Sequence, residues 1–387
     1  MYAIVLDGEL KSALAAVRSL GRAQRIVSVG SLRGTGLAGF SRYANDRFVY
    51  PDPKLDQDRF IAHVVKAAKA FPEPPVLFAF SDATYLAVFA HRAELARCVR
   101  LVLPHPEAVA TAFDKAATYD LARRLNIPTI SEIDPALVSS FPVVVKPRTS
   151  VSWASGVGRF GTADIVLDAE SFTQASENVV AQTGMNPIVQ TYVMGPEYGV
   201  ECLVDDGVVG KIFVHRRVRS QSPRGGAATV KTAVLNDPYM VAMVTHTRAL
   251  AAALSWSGPM MVEWKVDTRT NTPLLMEINA RFWGSLPLPE RAGISFTLGY
   301  DLLARGYAAP KAKPIKPITT QHFLGDVRWL YRVLFARDPL RARVYPPRLT
   351  ALGAFLRTTL TTPSDVFSFA DPIPFFMEYV DSIKKIL

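Results

Sequence analysis

The chain has 387 residues, 49% of them hydrophobic, with a net charge of +10 and an isoelectric point near 9.6, which is material for two or three cored units and favours an anionic partner. Its start, Met1-Tyr2-Ala3-Ile4-Val5-Leu6-Asp7, lacks the layout of an export signal, no apolar run approaches the roughly 18 residues that cross a bilayer, and Cys98 and Cys202 form no CxxC pair, so a cytoplasmic protein without a transmembrane segment is expected. The basic residues are scattered and no zinc-finger or RNP-type motif accompanies them, which argues against nucleic acid and leaves an anionic small molecule or a membrane surface.

Residues 1–105 alternate short β-branched runs (Ala3 to Leu6, Ile26 to Val29, Val76 to Phe80) with helical stretches (Leu10 to Leu20, Phe60 to Ala70), the rhythm of a parallel sheet covered by helices. The first turn, Asp7-Gly8-Glu9, has no GxGxxG, and Gly30 to Gly36 lacks its spacing, so the unit is Rossmann-like without a dinucleotide fingerprint. From 106 the pattern changes. One helix is expected over Glu107 to Leu125, ending before Ile127-Pro128. Strands follow at Val143 to Lys146 and Ile188 to Val193, with a Ser/Gly-rich loop between them. Hairpins are expected where Tyr198 to Val204 turns at Asp205-Asp206-Gly207 into Val208 to Val214, and where Met260 to Val266 turns into Leu274 to Ile278. This middle part reads as α+β with antiparallel sheets. In the last stretch, 309–387, Val327 to Phe335 is a basic amphipathic segment; it suits a helix packed on the body with its arginines in water, or contact with an anionic membrane or partner.

The most informative segment runs from Met260 to Arg281. Alternation along a strand puts Glu277, Asn279 and Arg281 on one face, and a turn centred on Thr270 sets Glu263 opposite Glu277, with Cβ atoms about 5 Å apart. Like charges in that position repel unless a divalent cation with oxygen ligands lies between them. Asn279 adds a neutral oxygen, and Arg281 suits charge developing on a transferred phosphoryl group. The plainer alternative is a surface strand with two solvated glutamates, which leaves the Glu, Asn, Arg alternation unexplained.

Two further segments carry chemistry only in company. Lys146 ends an apolar strand and precedes the small-residue loop through Ser155 and Gly156, an arrangement able to cradle phosphates. Ile188 to Val193 offers a strand edge, and Glu197 follows it; these suit adenine and ribose. The six histidines show no HxxxH or HExxH spacing, which speaks against a zinc hydrolase; His215 stands out because it sits beside Arg216 and Arg217 at a strand end.

The order Phe113-Asp114-Lys115, Val145-Lys146-Pro147, Gln190-Thr191-Tyr192-Val193, Gly195-Pro196-Glu197, Val262-Glu263 and Glu277-Ile278-Asn279-Ala280-Arg281 resembles the ATP-grasp superfamily over residues 1–308. Within it the chain is similar to carboxylate–amine ligases of the D-aspartate ligase and carbamoyl-phosphate synthase type. The resemblance implies a mixed α/β and α+β chain: a Rossmann-like pre-ATP-grasp domain (1–105), an ATP-grasp domain (106–308, with a lid at about 140–195) and a mainly helical C-terminal extension (309–387). It implies that Lys115, Lys146, Ser155 and Gly156 contact ATP phosphates, that Gln190, Tyr192 and Val193 hold adenine, and that Glu197 holds ribose. Glu263, Glu277 and Asn279 would bind Mg2+, two ions, with Mn2+ as the alternative, while Arg281 and Lys146 act in catalysis. Arg217, Arg224, Gly225 and Lys231 are substrate candidates, and Asp82 is a further one in the first domain. Gln190 stands where many relatives have glutamate, and Ala280 where proline is common. The implied reaction joins a small carboxylate to an amine through an acyl phosphate, with a homodimer as an allowed assembly. The competing readings are a nucleotide-binding regulatory or membrane-peripheral module without turnover, and a carboxylase or kinase-like enzyme acting on bicarbonate or a hydroxyl.

Overall fold

The three β-branched runs at the start of the chain line up as parallel strands, with a fourth, Asp46–Val49, that the sequence pattern did not suggest. A computed structural model describes residues 1–34, 36–154, 157–308, 315–335, 337–338 and 345–384. In it β1 (Tyr2–Val5), β2 (Ile26–Ser31), β3 (Asp46–Val49) and β4 (Val76–Phe78) form a sheet in the order β3-β2-β1-β4. Alternate residues of β1 enter different cores. Ala3 and Val5 pack with α1 (Lys11–Arg22), whereas Ile4 packs with α2 (Gln57–Lys69) and α3 (Asp82–Ala90); burial on both faces is why the strand reads as a continuous apolar run. The short α4 (Arg92–Leu95) follows. In the first turn, Asp7 accepts from the backbone N–H groups of Phe80 and Ser81 and from Thr84 Oγ1 at 2.6–2.9 Å, so the turn is tied to the start of α3 by its own carboxylate.

The single helix expected over Glu107 to Leu125 is two, α5 (Pro106–Phe113) and α6 (Lys115–Arg124). Asp114 between them has φ −105° and ψ 111°, and its side chain accepts the N–H groups of Ala116 and Ala117. A capped helix start thus sits inside an alanine-rich run whose helix propensity hides it.

β5 (Val143–Lys146), β8 (Asp164–Val166) and β9 (Ile188–Thr191) form a small antiparallel sheet in the order β8-β5-β9, covered by α7 (Ala169–Thr183). The stretch expected as a plain loop contains a hairpin, β6 (Val151–Ala154) with β7 (Val157–Phe160); Ser155 and Gly156 at its tip lie outside the described residues. The Gly158 N–H donates to the Lys54 carbonyl at 2.8 Å, joining this hairpin to the first unit.

The largest sheet is antiparallel. β10 (Glu197–Asp205), β11 (Val208–Ser222), β12 (Gly225–Ala233), β13 (Gly258–Asp267), β14 (Thr272–Asn279) and β15 (Thr319–Gln321) run in the order β14-β13-β10-β11-β12-β15. One face carries Tyr198, Val200, Cys202, Val262 and Trp264, packed under α8 (Met240–Ala253). The other carries Glu197, Glu201, Glu263 and Lys265, in register with His215 and Arg217. Strand alternation thus separates a stabilising face from a chemical one. The chain continues through α9 (Pro287–Ala292) and α10 (Phe296–Ala304) to α11 (Phe323–Phe335), α12 (Arg348–Thr361) and α13 (Ile373–Lys384). Asp365 and Asp371 pin this last part to α1 through Lys11 (2.7 Å) and Arg18 (2.8 Å). No helix among the described residues is long and apolar enough to cross a membrane.

Gly195, between β9 and β10, has φ +155°, and a Cβ there would lie 1.8 Å from the Val266 carbonyl oxygen. We therefore expect Gly195→Ala to cost more than about 1–3 kcal/mol in chemical denaturation, with a normal stability curve counting against this account.

Candidate active site

The β13–β14 hairpin turns half a residue earlier than its sequence suggests: Asp267 pairs with Thr272 and Trp264 with Leu275. Continued unbroken, that register would set Glu263 against Met276. A bulge between Trp264 and Glu263 instead pairs Glu263 with Glu277, bending the strand locally and bringing two carboxylates together. The bulged residue leaves its carbonyl available, and Tyr119 of α6 donates its hydroxyl to that Met276 oxygen at 2.6 Å. Lys146 Nζ in turn donates to the Tyr119 oxygen at 2.9 Å. The last residue of β5 is thereby linked to the carboxylate hairpin through one buried tyrosine.

Cations match the paired carboxylates. Lys115, first residue of α6, places Nζ 3.4 Å from Glu277 Oε2. Arg217 of β11 forks between Glu263 (2.6 Å) and Glu197 (3.0 Å), and Lys265 also donates to Glu197 at 2.9 Å. Asn279 donates its amide to Glu263 at 3.2 Å. Burial, with the nearby Glu277 charge, pushes the Glu263 carboxyl above its ordinary range against the pull of Arg217. For Glu277 burial works in the same direction, but Lys115 and Lys146 outweigh it and hold the carboxyl below the ordinary range. Burial likewise opposes ionisation of Glu197, and Lys265 and Arg217 overcome it. Lys146 is pushed down to about 8 by burial, offset in part by Glu277, Glu132 and Glu263.

Glu263, buried, and Glu277, half-buried, stand in register with Asn279 beside them, and carboxylates with an amide are hard donors of the kind that suit Mg2+. Among the described residues no three His, Cys, Asp or Glu side chains converge as a metal site. Arg281 leaves the strand and meets Asp82 at the start of α3, Nε to Oδ1 at 2.5 Å. Gln190 is buried beside Tyr119, and Val193 is buried too. Tyr192 and Glu197 line a cavity of about 480 Å³ together with Arg217, Arg224, Gly225 and Lys265.

Like Arg217, the other two basic substrate candidates already have partners. Arg224 is bidentate to Asp338 at 2.7 and 2.8 Å. Lys231 lies in register with Arg217, but it is fully buried against Asp365 and does not line that cavity; burial pushes its amine down to about 7, against the Asp365 charge. Sequence reasoning missed Tyr119, which carries no motif, and Lys265, which does have a signal: it stands two residues from Glu263 on the same strand face. His215 lies over Gly199, where a Cβ would come 2.3 Å from its Cε1, and its Nδ1 is 3.0 Å from Glu201 Oε1.

Residues 185–322 match a family model described as ATP-grasp in the biosynthetic pathway with Ter operon. No curated protein matches the chain in sequence. Among solved structures it resembles N5-carboxyaminoimidazole synthetase from Staphylococcus aureus (12% identity, 87% of this chain and 86% of that one, TM-score 0.63). It is also similar to the biotin carboxylase domain of 2-oxoglutarate carboxylase from Hydrogenobacter thermophilus, in complex with MgADP and bicarbonate (14%, 82% and 72%, TM-score 0.60). A third likeness is to L-amino acid ligase from Bacillus licheniformis (19%, 82% and 78%, TM-score 0.56). The chain has the ATP-grasp fold. In this fold the carboxylate hairpin, Lys115, Lys146 and Arg217 converge from four separate segments.

Tyr119→Phe removes the hydroxyl between Lys146 and the Met276 carbonyl, leaving two buried polar groups unpaired. It is expected to lower stability by about 1–3 kcal/mol in denaturant titration; an unchanged midpoint would mean the bulge is held by other contacts.

Proposed function

We propose that this ATP-grasp protein is an ATP-dependent carboxylate–amine ligase. The observation that carries the reading is the register pair Glu263–Glu277, which brings Asn279, Lys115, Lys146 and Arg217 to one polar edge of the large sheet. A cation-bound triphosphate would use every group of this edge. The three structural neighbours, a synthetase, a carboxylase domain and an amino acid ligase, support the reaction class.

In this reading Lys115 and Lys146 hold the ATP phosphates, the hinge at Gln190, Tyr192 and Val193 receives adenine, and Glu197 accepts from ribose. The β6–β7 hairpin covers the phosphates and excludes water, and Ser155 and Gly156, which lie outside the described residues, are proposed to contact them. Glu263, Glu277 and the Asn279 oxygen would hold two Mg2+ ions, replaceable by Mn2+, which offset phosphate charge when bound. Arg217, now shared by Glu197 and Glu263, becomes available to a substrate carboxylate once Glu263 is otherwise engaged. Arg224 and Gly225 line the adjoining cavity, and Lys231 sits one strand further along. The carboxylate attacks the γ-phosphate in line to give an acyl phosphate and ADP, and Arg281 stabilises the transferred charge. An amine then displaces phosphate to form an amide.

Glu277→Ala should lower ADP formation by at least about 10²–10³-fold while the melting temperature stays near that of the parent protein; normal turnover would refute the assignment. The sign of the pH effect follows from Lys146. Its amine is cationic below about 8 and neutral above, so ATP affinity should weaken as pH rises through that value, and Lys146→Arg should flatten the slope in a fluorescent-nucleotide titration. The reaction itself is tested by mass spectrometry of products from Mg-ATP with pooled carboxylates and amines. An amide formed with ADP release is the expected result, whereas tight nucleotide binding with no ADP from any mixture would replace this reading with that of a regulatory module.

A further inference from the structure

Charge is sorted by direction in the C-terminal helices. Between residues 315 and 380 every acidic side chain among the described residues turns inward to a partner: Asp326 to Arg219 (2.7 Å), Asp338 to Arg224 (2.7 Å), Asp365 to Lys11 and Lys231, Asp371 to Arg18 (2.8 Å) and Glu378 to His322 (2.7 Å). Arg328, Arg332, Arg337, Arg348 and Arg357 are exposed. The outer surface of this extension is therefore cationic, although the segment contains both signs.

That surface also displays apolar side chains in register. α11 and α12 pack on each other through Trp329, Val333 and Ala351, and α11 also lies on β11, where Arg219 sits over the Trp329 ring; the exposed side chains of the two helices point away from these contacts. On α12, Leu349, Leu352, Leu356 and Leu360 are 84%, 38%, 52% and 84% exposed. At about 100° per residue they form one stripe, with Arg348 and Arg357 at its two edges. α11 adds Tyr331 and Phe335, each 65% exposed, beside Arg328 and Arg332. α13 is joined to both helices through Phe323, whose ring meets Phe355 and Tyr379, and it carries exposed Ile373 and Phe376. Leucine stripes edged by arginine match the interior and headgroups of an anionic bilayer. A second copy of the chain would set arginine against arginine, and a nucleic acid backbone would leave the leucines idle.

We propose that α11, α12 and α13 form a peripheral docking face for an anionic lipid surface, with the α12 leucines entering the acyl boundary and the arginines contacting headgroup phosphates. This inference is independent of the ligase reading. The test is co-sedimentation of the full chain with phosphatidylcholine vesicles, with and without phosphatidylserine. Binding is expected to need phosphatidylserine and to weaken with added salt. The double change Leu349→Ser and Leu360→Ser, at positions that make little folded contact, should reduce partitioning by about 100-fold or more. Arg348→Gln and Arg357→Gln should each reduce it by about fivefold. Melting curves and nucleotide binding of the variants serve as folding controls. Absence of the wild-type protein from phosphatidylserine vesicles would overturn the proposal, as would full binding by the leucine variant. A dimer in sedimentation velocity that the leucine changes dissolve, without vesicle binding, would assign the face to a second copy instead.

Discussion

The feature on which this molecule turns is a repulsion built into its backbone. A strand bulge forces Glu263 and Glu277 to face each other inside a largely buried edge, and two like charges so placed are tolerated only if cations come to them. Those cations arrive from distant parts of the chain: Lys115 from the start of a helix, Arg217 from a neighbouring strand, and Lys146 through the hydroxyl of Tyr119. Meeting the charge of the hairpin thus fixes where three other segments must lie.

The same sheet separates stability from chemistry by strand alternation. Trp264, Val262, Val200 and Tyr198 point into an apolar core under α8, while their neighbours Lys265, Glu263, Gly199 and Glu197 belong to the polar face. Glycine at 199 lets the imidazole of His215 lie across the strand. The C-terminal extension secures the assembly from outside: Asp326, Asp338, Asp365 and Asp371 pair with cations of the earlier units, while Arg328, Arg337, Arg348 and Arg357 are exposed.

Part of the site was legible because period-two alternation is a strong local rule: Glu277 and Asn279 had to share a face, and a tight turn had to bring Glu263 near them, whereas Arg281, expected on that face, lies beyond the end of β14 and turns to Asp82. What local rules lack is the identity of the partner. Nothing around Arg217 announces that its guanidinium forks between Glu197 and Glu263, and nothing around Lys231 that Asp365, 134 residues later, takes its charge in a buried pair. The helix break at Asp114 was obscured by alanines on both sides, and the β6–β7 hairpin by the serines and glycines interspersed among Val151, Trp153, Val157 and Phe160.

By itself, then, the sequence determined the parallel first unit, the antiparallel hairpins and the face on which the chemical side chains project, since these follow from hydrophobic period and turn residues within a short window. Only the tertiary structure decided that the Met276 bulge corrects the carboxylate register, that Tyr119 holds the freed carbonyl, and which cations are matched and which stand in water. Those outcomes depend on contacts between segments far apart in the chain, where desolvation and charge are settled by neighbours that no local pattern names.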